Sequence, residues 1–193
     1  MVTKAHRPDR RPRPPRPLDA ARLEELALSY VARFATSEGK LADYLKRKLR
    51  ERGWEGEEAP PVAAVVARMA SAGYVDNEAF ARSRASGLLR RGYGERRIAQ
   101  ALGAAGIDAE LRSRTAPDEA EARRAALAMA SRRGFGPFGL TPLDRARREK
   151  QIAAMLRAGH RLDSARELVN AASVAAAEEW AAAEDWAAGD GSE

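Results

Sequence analysis

The stretch Arg90-Arg91-Gly92-Tyr93-Gly94-Glu95-Arg96-Arg97-Ile98-Ala99-Gln100-Ala101-Leu102-Gly103-Ala104-Ala105-Gly106 decides how this chain is built. It joins a basic helix end to a Gly-aromatic-Gly turn, then runs through Ile98 and Leu102 to a closing glycine. The turn returns 42 residues later as Arg132-Arg133-Gly134-Phe135-Gly136. The closing glycine belongs to a series, Gly53, Gly106 and Gly159, spaced by 53 residues, each with an apolar residue (Leu49, Leu102, Met155) four positions earlier. The two offsets reconcile if a third unit carries about eleven extra residues around Pro137-Phe138-Gly139-Leu140-Thr141-Pro142, where turn formers cluster. The first unit matches less closely, with Ser37-Glu38-Gly39-Lys40 at the equivalent turn.

Outward from this stretch, Val, Ile and Thr are sparse, Ala, Leu, Arg and Glu abound, and apolar residues recur at three-to-four spacing. An all-α chain is expected. Leu23, Leu26, Leu28, Tyr30, Val31 and Phe34 make one apolar face, and Leu41, Tyr44, Leu45 and Leu49 the next, with Gly39 separating the helices. A third helix starts after Pro60-Pro61, buries Val62, Val65, Val66 and Met69, and ends at Gly73. Asp76 and Asp108 are expected caps, and so is Asp163 for the last helix. Thr115-Ala116-Pro117-Asp118 and Thr141-Pro142-Leu143-Asp144 suggest capping boxes. The predicted organisation is a Pro/Arg arm over 1–17 and three-helix units over 18–73, 74–116 and 117–171. An acidic, Ala-rich tail carrying Trp180 and Trp186 follows over 172–193. Units of this kind bury their faces against neighbours, so the expected form is an elongated, curved solenoid with a disordered arm and a frayed tail.

Composition narrows the function. The 193 residues carry 34 Lys+Arg against 28 Asp+Glu, a net charge of +6, so a polyanionic partner is plausible. Cys is absent, which removes disulfides, thiol nucleophiles and Cys-based zinc sites and suits a reducing cytoplasm. No apolar run suggests a membrane span, and the basic amino terminus is not followed by the apolar stretch of a signal peptide. The two histidines, His6 and His160, cannot build a His-based triad or a multi-His metal site. No Walker A loop occurs, and the Gly-aromatic-Gly turns lack the strand and glycine spacing of dinucleotide sites, so neither cofactor, metal nor catalysis is expected.

Basic clusters recur in each unit: Lys46, Arg47, Lys48, Arg50 and Arg52; Arg90, Arg91, Arg96 and Arg97; Arg132, Arg133, Arg145, Arg147, Arg148 and Lys150. Aligned by stacking, they would form a positive stripe able to follow a phosphate backbone or an acidic groove. Some of these arginines stand near helix C-termini, where they also answer the macrodipole. Tyr93 and Phe135 either stack on bases or pack their turns against the core.

Gly73-Tyr74-Val75-Asp76-Asn77-Glu78-Ala79-Phe80-Ala81-Arg82, followed by Arg90-Arg91-Gly92-Tyr93-Gly94, Arg96-Arg97-Ile98, Leu102 and Gly106-Ile107, resembles the RecX family of bacterial recombination regulators. The match is close over about 73–107 and looser over about 20–170. The resemblance implies an all-helical, three-repeat, non-catalytic protein; a monomer in the cytoplasm is expected. It implies binding to RecA recombinase filaments on single-stranded DNA, with double-stranded DNA as a further partner, and restraint of RecA's ATP hydrolysis and strand exchange in repair and the SOS response. Lys46, Lys48, Arg50, Arg90, Arg91, Arg96, Arg97, Arg132, Arg133, Arg147, Arg148 and Lys150 are the candidate contacts to RecA or DNA. The alternatives are a helix-turn-helix DNA-binding protein acting without RecA, which would show one recognition helix rather than a basic cluster in each unit, and a helical scaffold for an acidic protein.

Overall fold

The computed structural model describes residues 16–141 and 143–183, and among these every regular element is helical apart from one parallel bridge, Leu18 to Trp54. The helices are α1 (Ala20–Val31), α2 (Glu38–Arg52), α3 (Val62–Ser71), α4 (Asn77–Leu89), α5 (Glu95–Gly103), α6 (Ala109–Arg114), α7 (Glu119–Arg133), α8 (Arg145–Arg157), α9 (Leu162–Asn170) and α10 (Val174–Ala182). A 3-10 turn, Gly136–Phe138, precedes α8. The chain forms two compact units. One runs to Phe34 and resumes over Leu41–Tyr74; the other joins the short segment Ala35–Lys40 to everything from Val75.

In the first unit, Asp19 caps α1 by accepting from the Arg22 amide at 2.8 Å. The amide of fully buried Leu18 donates to the Gly53 carbonyl (3.0 Å) and the Leu18 carbonyl accepts from the Glu55 amide (2.9 Å), tying the start of α1 to the exit of α2. Leu23, Ala27, Leu41, Leu45, Val65 and Met69 fill the core, each large side chain stabilising by about 2 kcal/mol. The apolar face expected of α1 is narrower than its sequence suggests. Leu28 is 40% and Phe34 52% exposed, because the buried stripe is set by Leu23 and Ala27 at i and i+4, and Leu28 is turned about 100° from Ala27.

The second unit shows what the glycine period means. Gly53, Gly106 and Gly159 all have positive φ (82°, 75° and 95°) at the exit of α2, α5 and α8, the middle helix of each repeat. After α5 and α8 the chain closes identically: the Ile107 amide returns to the Leu102 carbonyl and the His160 amide to the Met155 carbonyl, both at 3.1 Å. These left-handed closures satisfy carbonyls that a helix end leaves open, which only glycine permits without strain. Ala81, Ala85, Leu88, Ile98, Leu102, Ile107 and Leu111 form one core, and Ala126, Met129, Ala130, Met155, Ala165, Leu168 and Val169 another.

Several local expectations need correcting. Thr115 does not start α7. It ends α6, its hydroxyl donating to the Leu111 carbonyl at 2.6 Å, and the capping box belongs to Asp118 and Glu121. Likewise Asp144, not Thr141, caps α8, accepting from the Arg147 amide at 2.7 Å. Asp163 lies inside the first turn of α9, where it accepts from the Ser164 amide and pairs with Arg161 at 3.4 Å. Gly39 does not separate two helices but sits in the first turn of α2. The sequence after 171 is not simply a solvated tail: α10, capped by Ser173, buries Ala177 and Ala181 and packs with Trp180 on the core against α7. Most of the Pro/Arg arm, with Trp186 and the residues after Ala183, lies outside the described residues.

Candidate nucleic-acid interface

Two glycine-to-glycine joints position the basic residues of the second unit. At the first, Gly39 meets the turn Ala105-Gly106 so closely that a Cβ on Gly39 would lie 2.7 Å from the Ala105 oxygen and the Gly106 Cα. Ser37, fully buried, caps α2 by accepting from the Lys40 amide (3.3 Å) and donates to the Ala105 carbonyl (2.5 Å). Glu38 and Asn77 exchange two hydrogen bonds at 3.0 Å beside it.

The second joint repeats the first one repeat later. Gly94, which starts α5, meets Ala158-Gly159 at the end of α8; its amide donates to the Ala158 carbonyl at 2.9 Å, the Arg96 amide to the Gly159 carbonyl at 3.2 Å. Ala158 is the period equivalent of Ala105, so the same carbonyl is satisfied by a hydroxyl in one joint and by an amide in the other. The imidazole of His160, buried, lies 3.0 Å from the Gly92 carbonyl through Nε2, a contact that needs the proton on that nitrogen. Burial holds the His160 pKa below its ordinary value, partly opposed by that hydrogen bond.

With the Gly92-Tyr93-Gly94 turn clamped in this way, Arg91 is carried to the face where α7 ends. Arg91, Gly92, Tyr93, Met129, Arg132, Arg133 and Ala158 line a cleft of about 310 Å³. Arg132 donates to the Arg91 carbonyl and to the Ala128 carbonyl (3.1 Å), and Arg91 to the Gly87 carbonyl (2.9 Å). These two arginines therefore also neutralise open carbonyls near helix ends, as their positions suggested. Arg133 is exposed at the same cleft, and Arg90 lines a neighbouring one of about 290 Å³ with Arg124 and Glu121. Arg96 and Arg97 are exposed on the first turn of α5, Arg97 donating to Gln100 at 2.7 Å.

The other predicted residues stand elsewhere. Arg147, Arg148 and Lys150 occupy the start of α8, whose far end makes the joint. Arg147 lies twelve residues before Gly159, about 18 Å along the helix. Arg147 pairs with Asp144 and donates to Thr141 at 2.9 Å; Lys150 is exposed. Lys46, Lys48 and Arg50 lie on α2 in the first unit, where Lys48 holds Glu51 at 2.6 Å and its hydrogen bond draws the Glu51 pKa down. Tyr93 and Phe135 pack on the cores, the second of their two readings.

Sequence reasoning missed an aromatic cluster in the first unit, because Tyr30 and Phe34 fit the helical face of α1. Tyr30 stacks on Tyr44 with ring centroids 4.2 Å apart and 19° between planes, and Phe34 lies 5.2 Å from Tyr30. A signal was present: Tyr44 stands two residues before Lys46-Arg47-Lys48 on one helix.

Among the described residues no helix is long and apolar enough to cross a membrane, and no group of three or more metal-type ligands gathers. The family model described as "RecX, second three-helix domain" matches residues 76–115. The chain is 31% identical over 171 residues to "Regulatory protein RecX" of Myxococcus xanthus, covering 84% of this chain and 91% of that protein. Its fold is similar to the crystal structure of RecX from Lactobacillus salivarius, with a TM-score of 0.60 at 15% identity, over 76% of this chain and 91% of the other.

Proposed function

From the premise that this chain belongs to the RecX family of regulatory proteins, we propose that it acts on RecA filaments assembled on single-stranded DNA and restrains their ATP hydrolysis and strand exchange. The observation that carries the reading is the identity to a RecX regulatory protein over nine-tenths of that relative's length. The exposed arginines of the second unit support it. Arg96 and Arg97 on α5 are anchored through their amides at the backbone joint, Arg133 lines the α7 cleft, and all three are exposed. Guanidinium is suited to phosphate and carboxylate alike, so one face can meet DNA backbone and acidic side chains of a recombinase.

A filament offers such a face many times over in a fixed register, whereas naked single-stranded DNA offers only phosphates. Binding that bridges neighbouring subunits changes the free energy of subunit gain and loss, which is how a small protein biases a filament without chemistry of its own. The protein acts as a monomer in the cytoplasm, and Arg147, Arg148, Lys150, Lys46, Lys48 and Arg50 provide further phosphate contacts.

The test is RecA's ATP hydrolysis on single-stranded DNA, followed while this protein is added below RecA's concentration. A fall in rate at substoichiometric protein is expected, with Arg96→Ala/Arg97→Ala shifting the titration to higher protein. An unchanged rate at equimolar protein would defeat the reading.

A further inference from the structure

We infer that the first unit carries a base-stacking site for single-stranded nucleic acid, with Phe34 as its platform and Arg47 and Lys48 as its phosphate contacts. Phe34 follows α1 and is 52% exposed, an unusual position for a phenylalanine. The ring is nevertheless held. It lies 5.2 Å from Tyr30, tilted by 46°, and Tyr30 in turn stacks flat on half-buried Tyr44. A supported ring with open area is what a nucleobase needs, since stacking yields most when the platform loses no freedom on binding.

Cations surround the rings. The Arg33 guanidinium carbon lies 5.8 Å from the Phe34 ring centre, Arg47 5.5 Å and Lys48 5.9 Å from that of Tyr44. α2 carries six Lys and Arg against three acidic residues, Glu38, Asp43 and Glu51. Glu51 engages Lys48 at 2.6 Å and Arg47 at 3.7 Å, keeping both heads near the rings; these exposed pairs exchange readily for a phosphate. Aromatic faces alternating with long cations at this spacing fit a single strand, whose bases are free to stack while its phosphates track the basic helix. A duplex hides its base faces and an acidic peptide has none, so the complementarity favours a single strand.

This site does not depend on the recombinase reading. Its test contains no RecA, so either can fail alone. The full chain is titrated into a dye-labelled oligothymidylate and into an abasic deoxyribose-phosphate strand of equal length, read by anisotropy at several salt concentrations. Phe34→Ala should weaken oligothymidylate binding about 5-fold or more, leave abasic binding unchanged and keep the salt slope. Lys48→Ala should weaken both strands and flatten the slope. Phe34→Trp should keep the affinity and add fluorescence quenching on binding beyond that of the parent, a readout that stands even if the alanine variant is poorly folded. Equal binding of oligothymidylate by wild type and Phe34→Ala, or equal loss on both strands, or no added quenching in Phe34→Trp, would overturn the inference.

Discussion

Replacing Gly159 by Ala should damage this protein more than its chemistry suggests, and the damage can be divided into parts. Gly159 has φ of +95°, so an alanine there carries a left-handed backbone cost of about 1–2 kcal/mol. Its Cβ would also stand 2.4 Å from the Arg97 amide nitrogen and 3.0 Å from the Gly94 oxygen, both backbone atoms that cannot swing aside. Forcing such a joint apart costs about 1–3 kcal/mol. Gly94→Ala carries only the second cost, because Gly94 has an ordinary φ of −84° while its Cβ would lie 2.4 Å from the Gly159 carbonyl. Gly53→Ala carries only the first, because its φ is +82° and nothing lies within 4 Å of the added Cβ. Urea unfolding followed by far-UV circular dichroism should therefore give about 1–2 kcal/mol for Gly53→Ala and about 1–3 for Gly94→Ala. Gly159→Ala should cost about the sum of the two, and the Gly94→Ala/Gly159→Ala pair less than the sum of its members, because both act on one contact. If Gly159→Ala costs no more than Gly53→Ala, the joint is not a close-packed element and the reasoning fails.

Three further outcomes follow from the same geometry. His160 is buried neutral with its pKa below the usual 6.5, so between the folded and unfolded values the unfolded chain binds more protons; its contribution is present above pH 6.5 and is lost as pH falls through the folded value. Urea unfolding from pH 7 to pH 5 should show that decline, and His160→Gln should flatten it. Asp118→Ala removes the side-chain half of the α7 capping box and should cost about 1 kcal/mol in the same assay, while Thr115→Val, outside the box, should leave the start of α7 intact. Arg133→Ala should weaken single-stranded DNA binding and lower the salt slope by about 0.7 if it meets one phosphate, without changing the urea midpoint.

What the sequence discloses here is the set of positions where backbone geometry leaves no choice of residue. The period of Gly53, Gly106 and Gly159 was legible because a left-handed closure admits little else, and the caps Asp76 and Asp108 because a helix start needs an acceptor; at α7 and α8 the start was legible, but the sequence points to Thr115 and Thr141 as caps where Asp118 and Asp144 serve. The joints themselves were not legible. At Gly39 and Gly94 the sequence announces a turn but not its partner; they are glycines because another backbone passes at van der Waals distance, a fact that lies 67 and 65 residues away in the chain. α10 was hidden for a related reason: Ala177, Trp180 and Ala181 do stand at i, i+3 and i+4, but alanines give a weak apolar signal and the flanking carboxylates suggest a solvated helix. In the candidate site, the arginines were visible and their arrangement was not. Arg90, Arg91, Arg132 and Arg133 gather around α4 and α7, whereas Arg147, Arg148 and Lys150 stand at the other end of α8, because helix length sets that separation and no local pattern records it.

The most direct test of the account is a competition between RecA filaments on single-stranded DNA and an equal mass of the same DNA left naked, with the labelled full chain partitioning between them at physiological salt. The protein should collect on the filaments, and Arg96→Ala/Arg97→Ala should reduce that preference. Equal partitioning, or preference for naked DNA, would contradict it.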